Sequence, residues 1–274
     1  MPPHPITAVD LVVRDLDRSV AFYTGHMGLP DATVAADGRT AVLEAGPAVL
    51  RLRECRDAED SGWIPDDLQK GFRHIGFTVS DIDARAAALQ AHGVRFRMEP
   101  KDAYGGVRIA FFYDPDGVLI EFVQGQLSYD RVHDQRLADA ARAVPPPRTP
   151  TFDHVAVTVG DLETTVKTYT DGLGFGVAGQ LIRDDDPRGF VITYMHAGRT
   201  VLEVFTYTEP KQGSPWYQEP LAAGFRDVVF TGEVDDIVRR LDRVGASRAV
   251  AAPAGEEPLV LDPDGFPLRV EAAR

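Results

Sequence analysis

The strongest constraint on the fold of this 274-residue chain is an internal repeat. Four segments, beginning at Ala8, His74, His154 and Asp227, read as a strand of alternating apolar residues that runs into a helix cap. In each copy an amphipathic pattern with an acidic first turn follows, and the helix dipole favours such a start. Because one supersecondary unit repeated along a chain dictates the architecture, the repeat takes precedence over local features.

Each copy continues in the same way after its first strand. The predicted helices span residues 17–26, 83–92, 163–172 and 235–244. A glycine suited to ending a helix follows each of them, at Gly28, Gly93, Gly174 and Gly245. Three strand-like runs come next, which in the second copy are residues 94–99, 107–113 and 118–124. Asp-Pro-Asp-Gly at 114–117 and 262–265 predicts tight hairpins. The order is therefore βαβββ, four times.

The spacing of the copies divides the sequence into two tandem modules. Repeats one and three align at a constant offset of 146, as in Asp15 with Asp161. Repeats two and four align at 153, which falls to 152 by the helix, so the fourth repeat has lost a residue. We expect module 1 at 1–127 and module 2 at 151–274. The connector at 128–150 combines a helical pattern (128–143) with a stiff proline-rich linker.

Charge and composition exclude several classes of function. The net charge is −13, from 29 basic and 42 acidic residues, and such a field repels nucleic acid and anionic membranes. No run of 18 apolar residues predicts a membrane span, and the first residues do not resemble a signal peptide. Cys55 is the only cysteine, so no internal disulfide forms, and we interpret it as an inert thiol. These features predict a cytoplasmic protein.

Three motifs together resemble a known superfamily. They are the strand from His154 to Asp161, the following helix with Tyr169 and Gly-Leu-Gly, and the Asp-Pro-Asp-Gly turn followed by Glu121. The pattern is similar to the vicinal-oxygen-chelate superfamily, which includes glyoxalase I, methylmalonyl-CoA epimerase, extradiol dioxygenases and bleomycin-resistance proteins. It covers about residues 6–124 and 152–272. The resemblance implies an α+β fold of two tandem modules with cup-shaped mixed β-sheets and flanking helices, but it does not define a substrate.

The resemblance also implies where a metal would bind. Two paired units form one cup, and each unit supplies a ligand from its first strand and one, usually Glu, from its last strand. A divalent transition ion accepts imidazole nitrogens and carboxylate oxygens at such positions. In chain order the four repeats offer Ala8 and Arg51, His74 and Glu121, His154 and Glu203, and Asp227 and Arg269. The two middle repeats are therefore the ones able to bind a cation.

The pairing of repeats decides how many metal sites exist. If repeat two pairs with repeat three, and one with four, then His74, Glu121, His154 and Glu203 meet in one cup. We predict this crossed pairing, with Asp227 and the arginines forming an internal salt bridge in the other cup. If each module instead closed on itself, the ligands would be split between two cups, and Asp227 would join the second.

The implied activity is that of a metal-dependent lyase or isomerase similar to glyoxalase I or an epimerase, acting on a small molecule. The ion (Ni, Co, Zn, Mn or Fe) would stabilise an enediolate as a Lewis acid, and either Glu121 or Glu203 would be the base. One alternative is an extradiol-type dioxygenase, with Fe(II) on His74, His154 and one Glu. Another is a non-catalytic binding protein similar to the bleomycin-resistance members. A monomer and a homodimer both fit the sequence.

Other chemically distinctive residues have more than one interpretation. Trp63 and the Pro-Trp-Tyr at 215–217 either line a cup or cover the core. The loop at Tyr104 is a possible lid. We expect His196 in a hairpin turn.

Overall fold

The computed structural model describes residues 3–209, 211–213, 222–248 and 259–273. In this part of the chain the strands are β1 (Ile6–Val13), β2 (Thr33–Val34), β3 (Thr40–Glu44), β4 (Val49–Glu54), β5 (Gly71–Thr78), β6 (Phe96–Asp102), β7 (Arg108–Tyr113), β8 (Leu119–Gln124), β9 (Arg131–Val132), β10 (Thr151–Thr158), β11 (Gly176–Arg183), β12 (Phe190–Ala197), β13 (Thr200–Tyr207), β14 (Gly224–Gly232), β15 (Ser247–Arg248), β16 (Leu259–Leu261) and β17 (Pro267–Ala272). The α-helices are α1 (Leu16–Ala21), α2 (Ile82–Ala91), α3 (Gln135–Arg142), α4 (Leu162–Lys167) and α5 (Val234–Arg243).

Helix starts follow the predicted capping pattern. The side chains of Asp15, Asp81 and Asp161 each accept a hydrogen bond from a backbone N–H three residues further on. In repeats one and three the helix continues as a π-helical turn, Phe22–His26 and Thr168–Gly172, so the predicted length is reached in two conformations. The side chain before each of these three helices therefore caps it as the sequence predicts.

The strands form two mixed sheets that each take repeats from both halves of the chain. One sheet has nine strands in the order β6-β7-β8-β5-β10-β13-β12-β11-β9, and the other has eight in the order β15-β16-β17-β14-β1-β4-β3-β2. At the centre of the first, β5 of repeat two pairs antiparallel with β10 of repeat three. At the centre of the second, β1 of repeat one pairs antiparallel with β14 of repeat four. The crossed pairing is confirmed.

Tandem neighbours are held together by contacts other than sheet hydrogen bonds. The Tyr23 hydroxyl after α1 donates to Asp114 Oδ2 (2.9 Å) in the hairpin of repeat two. The Tyr169 hydroxyl donates to Asp262 Oδ2 (3.1 Å) in the hairpin of repeat four. One core cluster contains apolar side chains of both sheets, so the two sheets share a hydrophobic interior.

The connector contains less helix than the sequence pattern predicts. Helix α3 begins at Gln135, because β9 before it pairs with β11 as an edge strand. The division of the sequence at residues 127 and 151 stays a prediction, since each sheet draws strands from both sides of it. In the described part of the chain, none of the helices has the length and apolarity to cross a membrane. The cytoplasmic location also stays a prediction.

Candidate metal centre

Four side chains named by the repeat alignment converge in the nine-stranded sheet. His74 lies on β5, Glu121 on β8, His154 on β10 and Glu203 on β13, and all four side chains are buried. One candidate donor atom from each lies within 4.8 Å of all the others. Residues 80 positions apart in the chain thus meet because β5 and β10 are hydrogen-bonded neighbours.

The distances between the donor atoms are short. His74 Nε2 lies 3.0 Å from His154 Nε2, 3.2 Å from Glu121 Oε2 and 3.3 Å from Glu203 Oε2. His154 Nε2 lies 3.0 Å from Glu121 Oε2 and 3.3 Å from Glu203 Oε2. Donors about 2.1 Å from a shared ion and at right angles to one another would stand about 3 Å apart. The four residues therefore fit a single divalent cation.

The charges in the cluster also suit a cation. Two buried carboxylates stand side by side, and Glu203 Oε2 has no hydrogen-bond partner among the described residues. Burial raises the pKa of Glu121, but hydrogen bonds and charge from His154 and His74 outweigh it and lower that pKa to about 2. Burial also raises the pKa of Glu203, but the charge of His154 and the interaction with His74 together outweigh burial, so the net direction of the pKa is downward. Both carboxylates are thus held ionised, as metal ligands must be.

The pKa of His154 moves the other way. Burial lowers it, but the charge of Glu203 and the hydrogen bonds to Asp153 and Glu121 outweigh burial and raise it well above its usual value. A proton on this ring is the charge that the neighbouring carboxylates attract when no other cation is present. A bound metal ion would take the place of that proton.

The cluster lies in the wall of a cavity of about 1300 Å³. Tyr129, Tyr194 and His196 line the same cavity, as do Trp63 and Tyr104 from the loops. This volume exceeds the roughly 300–1,000 Å³ of most small-molecule pockets, so the cavity has room for a small molecule and for water beside it.

The structure corrects the prediction for His196 and decides between the two interpretations of Trp63, but not between those of residues 215–217. His196 lies within β12 and not in a turn, and its Nε2 is 3.2 Å from the Tyr129 hydroxyl. Burial lowers its pKa, so the ring is neutral. Trp63 lines the cavity, whereas residues 215–217 lie outside the described part of the chain.

The central strands carry a feature that the sequence pattern does not reveal. β10 has a bulge at Asp153 and β5 has one at Arg73, each directly before a histidine of the cluster. Consecutive residues of a regular strand face opposite sides, but a bulge changes this alternation. The two bulge residues and the two histidines that follow them consequently all line the cavity.

Three of the four equivalent positions in the eight-stranded sheet hold residues that form ion pairs, and the fourth is Ala8. Arg269 Nη2 donates to Asp227 Oδ2 at 2.9 Å, and Arg51 Nη2 donates to Asp10 Oδ2 at 2.7 Å. Glu271 accepts from Arg51 at 2.9 Å. Asp227 thus takes part in the predicted internal salt bridge. The repeat alignment did not reveal Asp10 and Glu271, because they lie beside the aligned ligand positions and not at them.

Comparison with models of known protein families identifies the family of this chain. The model of the Glyoxalase/Bleomycin resistance protein/Dioxygenase superfamily matches residues 5–122 and 151–270. The chain belongs to this superfamily. The two matched segments correspond to the two tandem pairs of repeats, and the superfamily resemblance inferred from the motifs is confirmed.

Individual relatives match either most of the chain or about half of it. A lactoylglutathione lyase of Arabidopsis thaliana is 27% identical over 93% of this chain and 86% of its own length. A protein of Vibrio cholerae named as a probable lactoylglutathione lyase is 33% identical, over 47% of this chain and 96% of its own. The crystal structure of glyoxalase I from Zea mays matches with a TM-score of 0.70 at 22% identity, covering 97% of this chain and 91% of that one. This structural likeness establishes the shared superfamily fold.

Proposed function

We propose that the chain is a divalent-metal-dependent lyase or isomerase of the glyoxalase I kind. The observation that carries the proposal is the convergence of His74, Glu121, His154 and Glu203 on one point in the cavity wall. The names of its relatives, which include lactoylglutathione lyases, support the same class of activity. The metal itself is one of Ni, Co, Zn, Mn or Fe, all of which accept this donor set.

The two carboxylates are proposed both to hold the ion and to supply the base. When bound, the ion would act as a Lewis acid toward a substrate oxygen next to the carbon that exchanges a proton. We propose that either Glu121 or Glu203 takes that proton, since a base must lie within hydrogen-bond reach of it and both glutamates belong to the cluster. Both groups are largely buried, which limits their contact with bulk water.

The cavity favours a negatively charged substrate, although the chain as a whole carries a charge of −13. Four of its lining residues are cations that form no ion pair within the described part of the chain: Arg97, Lys101, Arg142 and Arg199. Two of its acidic lining residues are paired with arginines, Asp67 with Arg73 and Arg188 and Asp102 with Arg108. The other acidic lining residues are Asp66, Asp153 and the two glutamates of the cluster. Unpaired cations around a pocket raise the local concentration of anions. We therefore propose a small oxygenated metabolite that carries carboxylate groups.

The activity test uses the metal-loaded protein with methylglyoxal and glutathione, and follows formation of S-lactoylglutathione. We expect Glu121→Gln and Glu203→Gln to be folded, and the variant that removes the base to lose about 10²–10⁴-fold in kcat. Glu271→Gln is the matched control, because Glu271 lies in the other sheet. A metal-loaded wild type that leaves this and other 2-oxoaldehyde adducts unchanged would contradict the proposal.

The fourth donor separates this proposal from an extradiol dioxygenase. Two histidines and one carboxylate suffice for Fe(II) in that chemistry, and three further positions serve dioxygen and a catechol. Here a second carboxylate, that of Glu203, stands 3.3 Å from both histidines and would take up one of those positions on a bound ion. Ring cleavage of a catechol by the Fe(II)-loaded protein, without lyase activity, would reverse the assignment.

A further inference from the structure

The two histidines of the cluster differ in what stands behind them. His154 Nδ1 lies 2.8 Å from Asp153 Oδ2. A carboxylate only accepts hydrogen bonds, so this contact requires the ring to carry its proton on Nδ1. The lone pair of a neutral ring is then on Nε2, which is the atom that faces His74, Glu121 and Glu203.

Asp153 is itself held in place. Its Oδ1 accepts a hydrogen bond from the Thr78 hydroxyl at 3.2 Å, across the strand pair β5–β10. The bulge at Asp153 brings the carboxylate to the same side of the sheet as the imidazole of the next residue. The hydroxyl and the bulge together fix the carboxylate against His154.

The residue at the equivalent bulge of β5 does not support His74 in this way. Arg73 directs its guanidinium to Asp67 Oδ1 (2.7 Å) and to the Tyr207 hydroxyl (3.2 Å), away from the histidine ring. The edge of His74 contacts the aromatic ring of Phe111 instead, with centroids 4.9 Å apart. Both histidines face the two glutamates, but only His154 also has a carboxylate at its Nδ1, whereas the His74 ring packs against Phe111.

From this asymmetry we infer that Asp153 is a positioning residue that fixes the tautomer and orientation of His154 and thereby strengthens metal binding. The inference rests on the proposed metal centre and adds to it a residue that contacts no metal. Carboxylates that hydrogen-bond to a ligating histidine raise its basicity, and their loss costs about 10–100-fold in metal affinity. The Asp153 side chain is 37% exposed, so we expect a value near the lower end of that range.

The test measures binding of Co²⁺ alone to the metal-free protein, by competition with a chromogenic chelator and by the visible spectrum of the bound ion. We expect Asp153→Ala to raise the Co²⁺ dissociation constant about tenfold or more. Asp153→Asn keeps an oxygen that can accept from Nδ1, so we expect a smaller loss and a spectrum like that of the wild type. Thr78→Val removes the hydroxyl that holds Asp153, and we expect it to fall between the wild type and Asp153→Ala.

Asp66→Ala is the matched control. Asp66 also lines the cavity, but its carboxylate accepts from the backbone of Leu68 and contacts no histidine. Equal losses in Asp66→Ala and Asp153→Ala would overturn the inference in favour of a general charge effect. Wild-type affinity in a folded Asp153→Ala variant would overturn it directly and leave the proposed function intact. Absence of Co²⁺ binding by the wild type would instead contradict the metal centre itself.

Discussion

At the residue scale, each histidine of the cluster faces a position with little or no side chain across the central strand pair. His154 pairs with Gly76, and His74 pairs with Ala156. A Cβ at Gly76 would lie 2.0 Å from the His154 ring, so the ring occupies space that only glycine leaves. In the other sheet the pair equivalent to His154 and Gly76 is Ala8 and Val229. In that pair the small residue, Ala8, stands at the position of the histidine, and Val229 stands at the position of the glycine.

This close approach predicts that Gly76→Ala displaces His154 from the cluster. We expect the chain to fold, because the imidazole can rotate away, and we expect metal affinity to fall at least as far as in His154→Ala. Isothermal titration with Zn²⁺ measures the effect. Gly25→Ala is the control, since nothing lies within 4 Å of a Cβ at that position. Unchanged affinity in Gly76→Ala would show that the observed ring position is not the one used.

The ligand residues could be predicted from the sequence, whereas their supporting residues could not. Aligned copies give residue types at equivalent positions, so His74 and Glu121, and His154 and Glu203, were identifiable without coordinates. Asp153 was not, because strict strand alternation places it on the opposite face from His154. A bulge adds one residue without a composition signal of its own, and only the strand register reveals it.

At the element scale, the helix-to-hairpin contacts carry buried acids whose protonation depends on pH. Burial raises the pKa of Asp114 to about 7 and that of Asp262 to about 6. Each carboxyl also accepts a tyrosine hydroxyl and the backbone N–H groups of its own hairpin, which oppose this rise without cancelling it. The folded state therefore favours the protonated acids more strongly than the unfolded chain does, where the pKa is about 3.9.

The sign of this difference gives a prediction. Stability from the two acids is fully present below about pH 4 and is lost as the pH rises through about 6 and 7. The double variant Asp114→Asn, Asp262→Asn does not ionise, so its free energy of unfolding should fall less between pH 4 and 8 than that of the wild type. At about 1.4 kcal/mol per unit of pKa shift, the two acids together make this difference on the order of 7 kcal/mol. Urea denaturation across this range measures it, and parallel profiles would contradict the assignment.

The ion pairs of the eight-stranded sheet lead to a second prediction at this scale. Asp227 is fully buried, and Asp227→Ala leaves the buried Arg269 with Asp10, at 3.6 Å, in place of its nearest carboxylate. Breaking a buried pair costs about 3–5 kcal/mol, whereas Asp185→Ala, which breaks an exposed pair with Arg183, should cost under about 1 kcal/mol. Thermal and urea denaturation give both values. The metal content of both variants should equal that of the wild type. Loss of metal in Asp227→Ala would instead indicate a metal ligand in the eight-stranded sheet and contradict the assignment.

At the scale of the whole molecule, covalent order and spatial pairing differ. Repeats one and two are neighbours in sequence and contact through Tyr23 and Asp114, yet their strands lie in different sheets. The repeat pattern indicated four units and two modules, but alone it allowed two pairings. What favoured the crossed one was the distribution of ligand types, since a His and a Glu in each middle repeat make a complete site only when those repeats meet. The position of the connector strand β9 at a sheet edge had no comparable signal.

We expect a single metal site shared by the two halves of the chain, and elemental mass spectrometry of the purified protein is its most direct test. Protein prepared without chelator should hold one equivalent of a divalent transition metal per chain. His74→Ala and His154→Ala should each lose it, although the two residues lie in different modules, and His92→Ala at an exposed helix end should retain it. Metal retained in full by His74→Ala and lost only in His154→Ala would contradict the shared site.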